Sequence, residues 1–171
     1  MNPDTFRQAS PAWLHAWVLS FGDDANPAGL LALVDLPQLD AGTAREMFWL
    51  AFNGAEHVAR YDLDRAAAAR SHAWNAPWYE IFDRLGRRAA TTGFATASYR
   101  IAAPHTHRIG RELLSPSERR EKAIRGIAEA FAKGRVDWTV ADSLMVNSGD
   151  EFDWNTLSPE DRATLPPRRS Y

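Results

Sequence analysis

The chain has 171 residues with a net charge of −2, and its 45% hydrophobic and 25% charged residues fit one globular domain. It contains no cysteine, which excludes disulfide bonds, thiolate metal sites and a cysteine nucleophile. No stretch approaches the ~20 apolar residues that a membrane-spanning helix needs, and the first residues lack the pattern of a signal peptide, so we expect a cytoplasmic protein without a membrane partner.

The first predicted helices have clear start signals. Ser10 followed by Pro11 is typical of an N-cap and a first helical position, and a helix is predicted over 12–21. Its apolar side chains share one helical face, and Gly22 can end it. These side chains are Leu14, Trp17, Val18 and Phe21. Asn26-Pro27 repeats the start signal ahead of apolar residues at helical spacing, Leu30, Leu31 and Val34.

The best-patterned helix is predicted over 41–53. Asp40 precedes it as an N-cap and Gly54 follows it as a stop. Its inward positions are Ala44, Met47, Phe48, Leu50 and Ala51. A short helix is then predicted over 55–61, and another begins after Asp64, where an alanine run favours helix.

After a break at 74–77, helical spacing resumes over 78–88. Its inward residues are Ile81, Phe82 and Leu85. Gly93 ends this element, and residues 94–101 could be extended because Thr, Ser and Tyr weaken a helix prediction.

The last third of the chain contains two more start signals. A capping box over 115–118 predicts a helix that runs to Lys133, and residues 136–145 are ambiguous between strand and helix. Ser158-Pro159 predicts one last helical turn. The fold class is therefore mainly α: a single-domain bundle of short helices over 1–171, with a small extended element near 94–101. Residues 1–9 and 166–171 are expected to be loose ends.

Several short motifs lie between about residue 13 and residue 104. Leu14-His15-Ala16 precedes Asp23-Asp24, and Asp40-Ala41-Gly42-Thr43-Ala44 precedes Met47-Phe48-Trp49-Leu50-Ala51. Further along come Ile81, Leu85, Gly93-Phe94 and Ile101, which fall where members of one bacterial family place a helix, a Gly-aromatic turn and an extended piece. In these features the chain resembles the bacterial domain-of-unknown-function family 4274.

The chain departs from this family at residues 21–25. It has Phe-Gly-Asp-Asp-Ala there, whereas members usually show Asn-Trp-Asp-Asp-Gly. The shared motifs are mostly helix caps and core aromatics, so the resemblance implies fold more than activity. The family has no established activity. By analogy, proteins of this kind include immunity proteins encoded beside secreted toxins.

Two kinds of residue could support chemistry. His105 and His107 would share a face of an extended segment and could bind a metal, but a polar loop after Pro104 explains them as well. The acidic pairs could bind a cation or act as acid and base, but capping of the helix at Asn26-Pro27 explains Asp23 and Asp24, and a helix cap explains Asp64. The two pairs are Asp23 with Asp24 and Asp62 with Asp64.

The sequence lacks the local motifs of common enzymes. It has no Gly-x-Ser-x-Gly, no Ser-x-x-Lys, no phosphate-binding loop and no Gly-x-Gly-x-x-Gly. We therefore predict no catalytic residue, no cofactor and no bound metal. A small enzyme with a nonlocal Asp, Glu or His site stays open as an alternative, because catalytic groups need not be close in sequence.

Charge is distributed unevenly along the chain. Residues 1–64 hold nine acids and three bases, residues 65–135 hold fourteen bases and six acids, and residues 136–171 hold seven acids and three bases. Such asymmetry suggests a charged partner, although the segments could also neutralise one another in the fold. The basic residues considered for nucleic-acid binding are Arg84, Arg87, Arg88, Arg108, Arg111, Arg119, Arg120, Lys122 and Arg125. Interspersed glutamates and a pI near 6.2 favour a solvated helical face instead, and nucleic-acid association is kept only as an alternative.

The acidic stretch 150–154 combines carboxylates with Phe152 and Trp154. An aromatic ring within acidic residues can anchor a basic protein surface, but both rings could instead fix the tail to the core. We predict an immunity-type protein that binds a cognate toxin or effector and occludes its active or substrate-binding surface. The predicted partner-binding residues are Asp23, Asp24, Asp62, Asp64, Asp150, Glu151, Asp153 and Trp154.

Overall fold

The computed structural model describes residues 3–21, 27–59, 76–100, 142–145 and 148–166. Most of these residues are helical, and no regular strand occurs among them, which confirms the prediction of a mainly α fold. None of the helices described is long and apolar enough to cross a membrane. The helices are α1 (Pro3–Gln8), α2 (Pro11–Leu19), α3 (Ala28–Leu31), α4 (Ala41–Ala59), α5 (Ala76–Ala90), α6 (Asp142–Met145) and α7 (Pro159–Thr164), with a 3-10 helix at Trp154–Thr156.

Two serine caps begin helices as predicted. The Ser10 hydroxyl accepts a hydrogen bond from the Trp13 N–H at 3.2 Å, and proline follows it at the first position of α2. The Ser158 hydroxyl accepts from the Asp161 N–H at 3.0 Å at the start of α7. Each hydroxyl satisfies a helix N–H that has no partner within the helix itself.

The prediction of a loose end at residues 1–9 is wrong for the part described. Pro3–Gln8 is helical, and the Phe6 side chain is only 2% exposed. Its ring packs edge-on to the ring of Trp17, with centroids 5.0 Å apart. The Gln38 amide donates to the carbonyls of Phe6 at 3.1 Å and Arg7 at 3.0 Å. Burial of this aromatic ring therefore stabilises a short helix where a loose end was expected.

Helix α4 is longer than predicted. It runs through Gly54 to Ala59, so the predicted stop at Gly54 and the separate helix over 55–61 are wrong. A glycine within a helix costs only about 1 kcal/mol relative to alanine, and the residues that follow it favour helix. Packing of α4 against neighbouring helices outweighs that cost.

The core surrounds α4, which packs against α2, α5 and α6. The predicted inward residues Ala44, Met47, Phe48 and Ala51 are buried, and Leu50 is half-buried. The predicted α5 face is buried as well, with Ile81, Phe82 and Leu85 each 0% exposed.

Two aromatic contacts of α4 connect it to its neighbours. The ring of Phe48 stacks on that of Phe82 at 4.6 Å between centroids. The Trp49 indole N–H donates to the Leu144 carbonyl of α6 at 2.9 Å. Both contacts join residues far apart in the chain, and the second holds the short helix α6 on the core.

The segment expected to be extended pairs with the C-terminal region. Gly93 adopts a φ of 69°, and its N–H donates to the Arg88 carbonyl at 2.8 Å, which ends α5. Further along, Tyr99 forms one isolated parallel bridge with Asp150. The Arg100 N–H donates to the Asp150 carbonyl at 2.9 Å, and the Asp150 N–H donates to the Ser98 carbonyl at 2.8 Å.

Several predicted elements lie outside the described residues. These are the helix after Asp64, the helix ending at Lys133, the caps proposed for Asp23 and Asp24, residues 136–141 and the tail beyond residue 166.

Candidate functional site

The structure brings together only part of the predicted binding surface. Asp150, Glu151 and Asp153 are exposed, and Trp154 is half-buried beside them. We call these four residues the acidic face. The other predicted partner-binding residues, Asp23, Asp24, Asp62 and Asp64, lie outside the described residues, as do His105 and His107.

A set of buried polar side chains lies beneath the acidic face. We call it the polar junction, and it consists of Asp40, Arg45 and His15. These side chains are 1%, 1% and 0% exposed, although sequence statistics place such residues mostly at surfaces. Buried charges require hydrogen-bond partners. Those of Asp40 come from Gly42 and residues 96–99, and those of Arg45 come mainly from Ser143 and Ser148.

Asp40 connects the start of α4 to segment 96–99. Its carboxylate accepts hydrogen bonds from the N–H groups of Gly42 at 2.8 Å, Ser98 at 2.7 Å and Tyr99 at 3.3 Å, and from the Thr96 hydroxyl. Burial alone would raise the pKa of Asp40, but these hydrogen bonds together hold that pKa below its ordinary value. The carboxylate is thus charged and fully hydrogen-bonded.

Arg45, further along α4, holds the backbone at Ser143 and at Ser148. Its Nε and Nη2 groups donate to the Ser143 carbonyl at 3.0 and 2.9 Å. Its Nη1 group donates to the Ser148 carbonyl at 3.1 Å. Burial lowers the pKa of Arg45, and the negative charges of Asp40 and Glu46 oppose that shift. Arg45 therefore satisfies and fixes the backbone carbonyls of Ser143 and Ser148.

An aromatic stack connects α2 to the acidic face. The His15 ring stacks on the Tyr99 ring at 4.4 Å between centroids, and its Nδ1 lies 2.9 Å from the Thr43 hydroxyl. Phe152, 8% exposed, contacts both the His15 and Tyr99 rings. Trp154 then packs edge-on against Phe152 at 5.3 Å. Phe152 is thus the anchor that fixes the acidic stretch to the core, and Trp154 lies between this anchor and solvent.

Two glycines allow the backbones to approach at this point. A Cβ added to Gly42 would overlap the Tyr99 carbonyl and lie 2.9 Å from the Tyr99 Cβ. Gly149 adopts a φ of 100°, and an added Cβ there would lie 2.8 Å from the Ser98 carbonyl oxygen. Only glycine fits these positions without a shift of segment 98–99.

The geometry gives the polar junction a positioning role. The Asp40 carboxylate is occupied by four protein donors, and its lowered pKa makes it a poor proton acceptor near neutral pH. Among the described residues, no group of three or more His, Asp or Glu side chains lies close enough to hold a metal ion. What the junction does is hold segments 96–100 and 148–152 side by side on α4.

The members of the acidic face differ in how far their charge is offset. Glu151 forms an exposed ion pair with Arg100 at 2.8 Å. The Asp153 carboxylate accepts the Asn155 N–H at 2.8 Å and caps the 3-10 helix. Asp150 is held through its backbone, and within the described part of the chain its carboxylate has no ion-pair partner. Asp150 and Asp153 therefore carry the charge that this face presents to solvent.

The described members of the predicted basic set each interact with other groups of the protein. Arg84 pairs with Asp35 and Glu80, and Arg87 pairs with Asp83 at 2.9 Å. Arg88 donates to backbone carbonyls. This part of the chain does not present the continuous arginine face that nucleic-acid binding would need. The basic residues from Arg108 to Arg125 lie outside the described residues.

Sequence reasoning missed the burial of His15, Arg45 and Glu46. Every residue from 41 to 49 is buried, so this part of α4 is enclosed on all sides. A helix that is buried on all sides usually has apolar residues on all sides. The charged residues at 45–46 break that pattern, so the sequence did not indicate an enclosed helix. Only Asp40, identified as the N-cap of this helix, indicated that a polar residue has a structural role at this point.

Comparison of the chain with family models, curated proteins and solved structures found no match. The resemblance to domain-of-unknown-function family 4274 therefore stays a prediction.

Proposed function

We propose that this protein is an immunity-type inhibitor that binds a basic surface of a toxin or effector protein through its acidic face. The observation that carries the proposal is the exposed pair of carboxylates, Asp150 and Asp153, beside the half-buried ring of Trp154. An aromatic anchor next to uncompensated acids suits a basic protein partner, because the ring supplies contact area and the acids steer the encounter.

The rigidity of this face supports the proposal. The Asp150 backbone pairs with residues 98 and 100, and Phe152 is buried against His15 and Tyr99. A surface fixed before the encounter loses little conformational entropy on binding, so more of the contact energy appears as affinity. No cofactor is needed for inhibition by occlusion.

Toxins that act on nucleic acids carry basic clefts, because phosphate backbones demand positive charge. An inhibitor that covers such a cleft uses acidic residues, as this face does. A stable interface needs roughly 800 Å² on each partner, more than four residues supply. The proposal therefore retains Asp23, Asp24, Asp62 and Asp64 as further contact residues.

The proposal is tested with the protein encoded beside this gene as the candidate partner. Association and dissociation rates are measured at several salt concentrations for the wild type and for the double variant Asp150→Lys with Asp153→Asn. Asparagine keeps an oxygen that can cap the Asn155 N–H, so this variant changes charge with little effect on folding. We expect slower association and a weaker salt dependence.

The matched control is Glu80→Lys with Asp83→Asn on α5, which changes the net charge by the same amount at a different surface. It should leave the association rate within about threefold of wild type, since steering depends on local charge. Reversal of Arg119, Arg120 and Arg125 should be nearly silent too. If that reversal abolishes protection against the toxin while the acidic variant has no effect, the proposed surface is wrong.

A further inference from the structure

A second feature lies on another part of the described surface, at the C-terminal end of α5. The turn that follows this helix faces the loop after α3 across a cleft of about 470 Å³. The cleft is widely open to solvent, and its volume falls in the range of small-molecule sites, about 300–1,000 Å³. The cleft is lined by Asp35, Pro37, Arg88, Thr92, Gly93, Phe94 and Ala95.

Arg88 is the positive charge of this cleft. Its Nη1 group donates to the carbonyls of Val34 at 2.7 Å and Leu36 at 2.8 Å, and its Nε donates to the Gly93 carbonyl at 3.1 Å. These bonds use three of the five N–H donors of a guanidinium group. In the described part of the chain, the Nη2 group donates to no protein acceptor.

The charge of Arg88 is not offset by a carboxylate among the described residues. Asp35, which shares the cleft, is paired with Arg84 instead. The Phe94 ring lies 5.0 Å from the Arg88 guanidinium carbon, which keeps the guanidinium plane in place without neutralising it. Burial lowers the pKa of Arg88, as expected for a half-buried cation that no anion compensates.

We propose that this cleft binds a small molecule in which a phosphate or carboxylate group is attached to an apolar group. The Nη2 donors of Arg88 would hold the anionic group, since guanidinium donors match the oxygens of both anions. The apolar part would lie against Pro37, Phe94 and Ala95, which line the same cleft. The three hydrogen bonds to carbonyls explain the position of Arg88. They leave the two N–H groups of Nη2 for a ligand.

The test titrates the ¹⁵N-labelled protein with four probes at constant ionic strength: inorganic phosphate, acetate, phenyl phosphate and benzoate. Amide shifts at Thr92 to Ala95 and the Arg88 side-chain signal are followed by NMR. We expect saturable shifts at these positions, with a midpoint at least about threefold lower for an aromatic probe than for its inorganic or acetate counterpart. Comparison of the phosphate probes with the carboxylate probes shows which anionic group the cleft prefers.

Substitutions at Gly93 provide a matched pair, because an added Cβ there meets no atom within 4 Å. Asp and Asn both tolerate the left-handed φ of this residue. Gly93→Asp places a carboxylate in the cleft and should weaken probe binding by about tenfold or more, whereas Gly93→Asn should stay within about threefold of wild type. Arg88→Met should abolish the shifts.

Linear shifts without saturation, or saturable shifts confined to other residues, would overturn the proposal. Equal probe binding by the Gly93→Asp and Gly93→Asn variants would overturn it as well. The Gly93 pair keeps the test decisive if Arg88→Met loses its fold with its three carbonyl bonds. This inference is independent of the acidic face, so neither outcome decides the proposed inhibitor function.

Discussion

Replacing Gly42 by alanine should destabilise the protein, although alanine is the better helix former. Gly42 lies in the first turn of α4, and its N–H donates to the Asp40 carboxylate. An added Cβ would overlap the Tyr99 carbonyl and crowd the Tyr99 Cβ at 2.9 Å. The obstacle is backbone and not the end of a flexible side chain, so segment 96–99 must move as a unit.

The expected magnitude follows from three opposing terms. Helix propensity favours alanine by about 1 kcal/mol. Overpacking of a filled site costs about 1–3 kcal/mol. Moving segment 96–99 also weakens the hydrogen bonds that Thr96, Ser98 and Tyr99 donate to Asp40, each worth about 1.5–3 kcal/mol because the acceptor is charged. Partial loss of these bonds gives a net destabilisation of about 2–4 kcal/mol.

The free energy of unfolding is measured by urea denaturation, with far-UV circular dichroism for the helices and tryptophan fluorescence for the core. Gly93→Ala is the control, because its φ of 69° strains alanine while the space around it is open. It should cost only about 1–2 kcal/mol. The reasoning is refuted if Gly42→Ala is as stable as wild type, or less damaging than Gly93→Ala.

Three further predictions concern the core and the junction. Asp40→Asn should lower the free energy of unfolding by about 2–3 kcal/mol at pH 7, because an amide nitrogen would face N–H donors. Since the folded pKa of Asp40 is lowered, its stabilisation is present above the unfolded pKa of about 3.9 and is lost as pH falls through the lower, folded value. In denaturation series, the difference between wild type and variant should therefore begin to shrink below about pH 4 and vanish below the folded pKa. Phe48→Ala should cost about 3–5 kcal/mol in urea titrations, since its ring is 0% exposed and stacks on Phe82; a change below about 1 kcal/mol contradicts this packing. Trp49→Phe should cost about 1–3 kcal/mol, because the buried Leu144 carbonyl loses its donor, and calorimetry showing no loss would contradict that.

Local patterns in the sequence predicted the parts of the fold that depend on neighbouring residues. The caps at Ser10, Asp40 and Ser158 act within three residues of their own position, so residue type alone identifies them. The buried face of α5 and the burial of Leu14, Trp17 and Val18 in α2 follow from apolar residues at helical spacing.

Features that depend on distant segments were not predictable in this way. Phe6 orders α1 because Trp17 of α2 lies against it. Arg45 is buried because carbonyls about a hundred residues away supply its acceptors. Of the candidate site, the sequence indicated the acids and Trp154, whereas the junction that fixes them depends on contacts that no local pattern encodes.

The junction and the acidic face therefore have separable roles in the proposed inhibitor. A junction variant such as Asp40→Asn reduces the fraction of molecules in which segments 98–100 and 148–152 are correctly held. It should lower the concentration of competent protein while each competent molecule associates at the wild-type rate. A variant at Asp150 leaves that fraction intact and changes the encounter rate and its salt dependence instead. These effects are separated by titrating the inhibitor with a known amount of partner and by measuring association kinetics. The titration counts the competent molecules, and the kinetics measure how fast each one binds. A junction variant that altered the salt dependence but not the competent fraction would show that Asp40 acts on the partner directly.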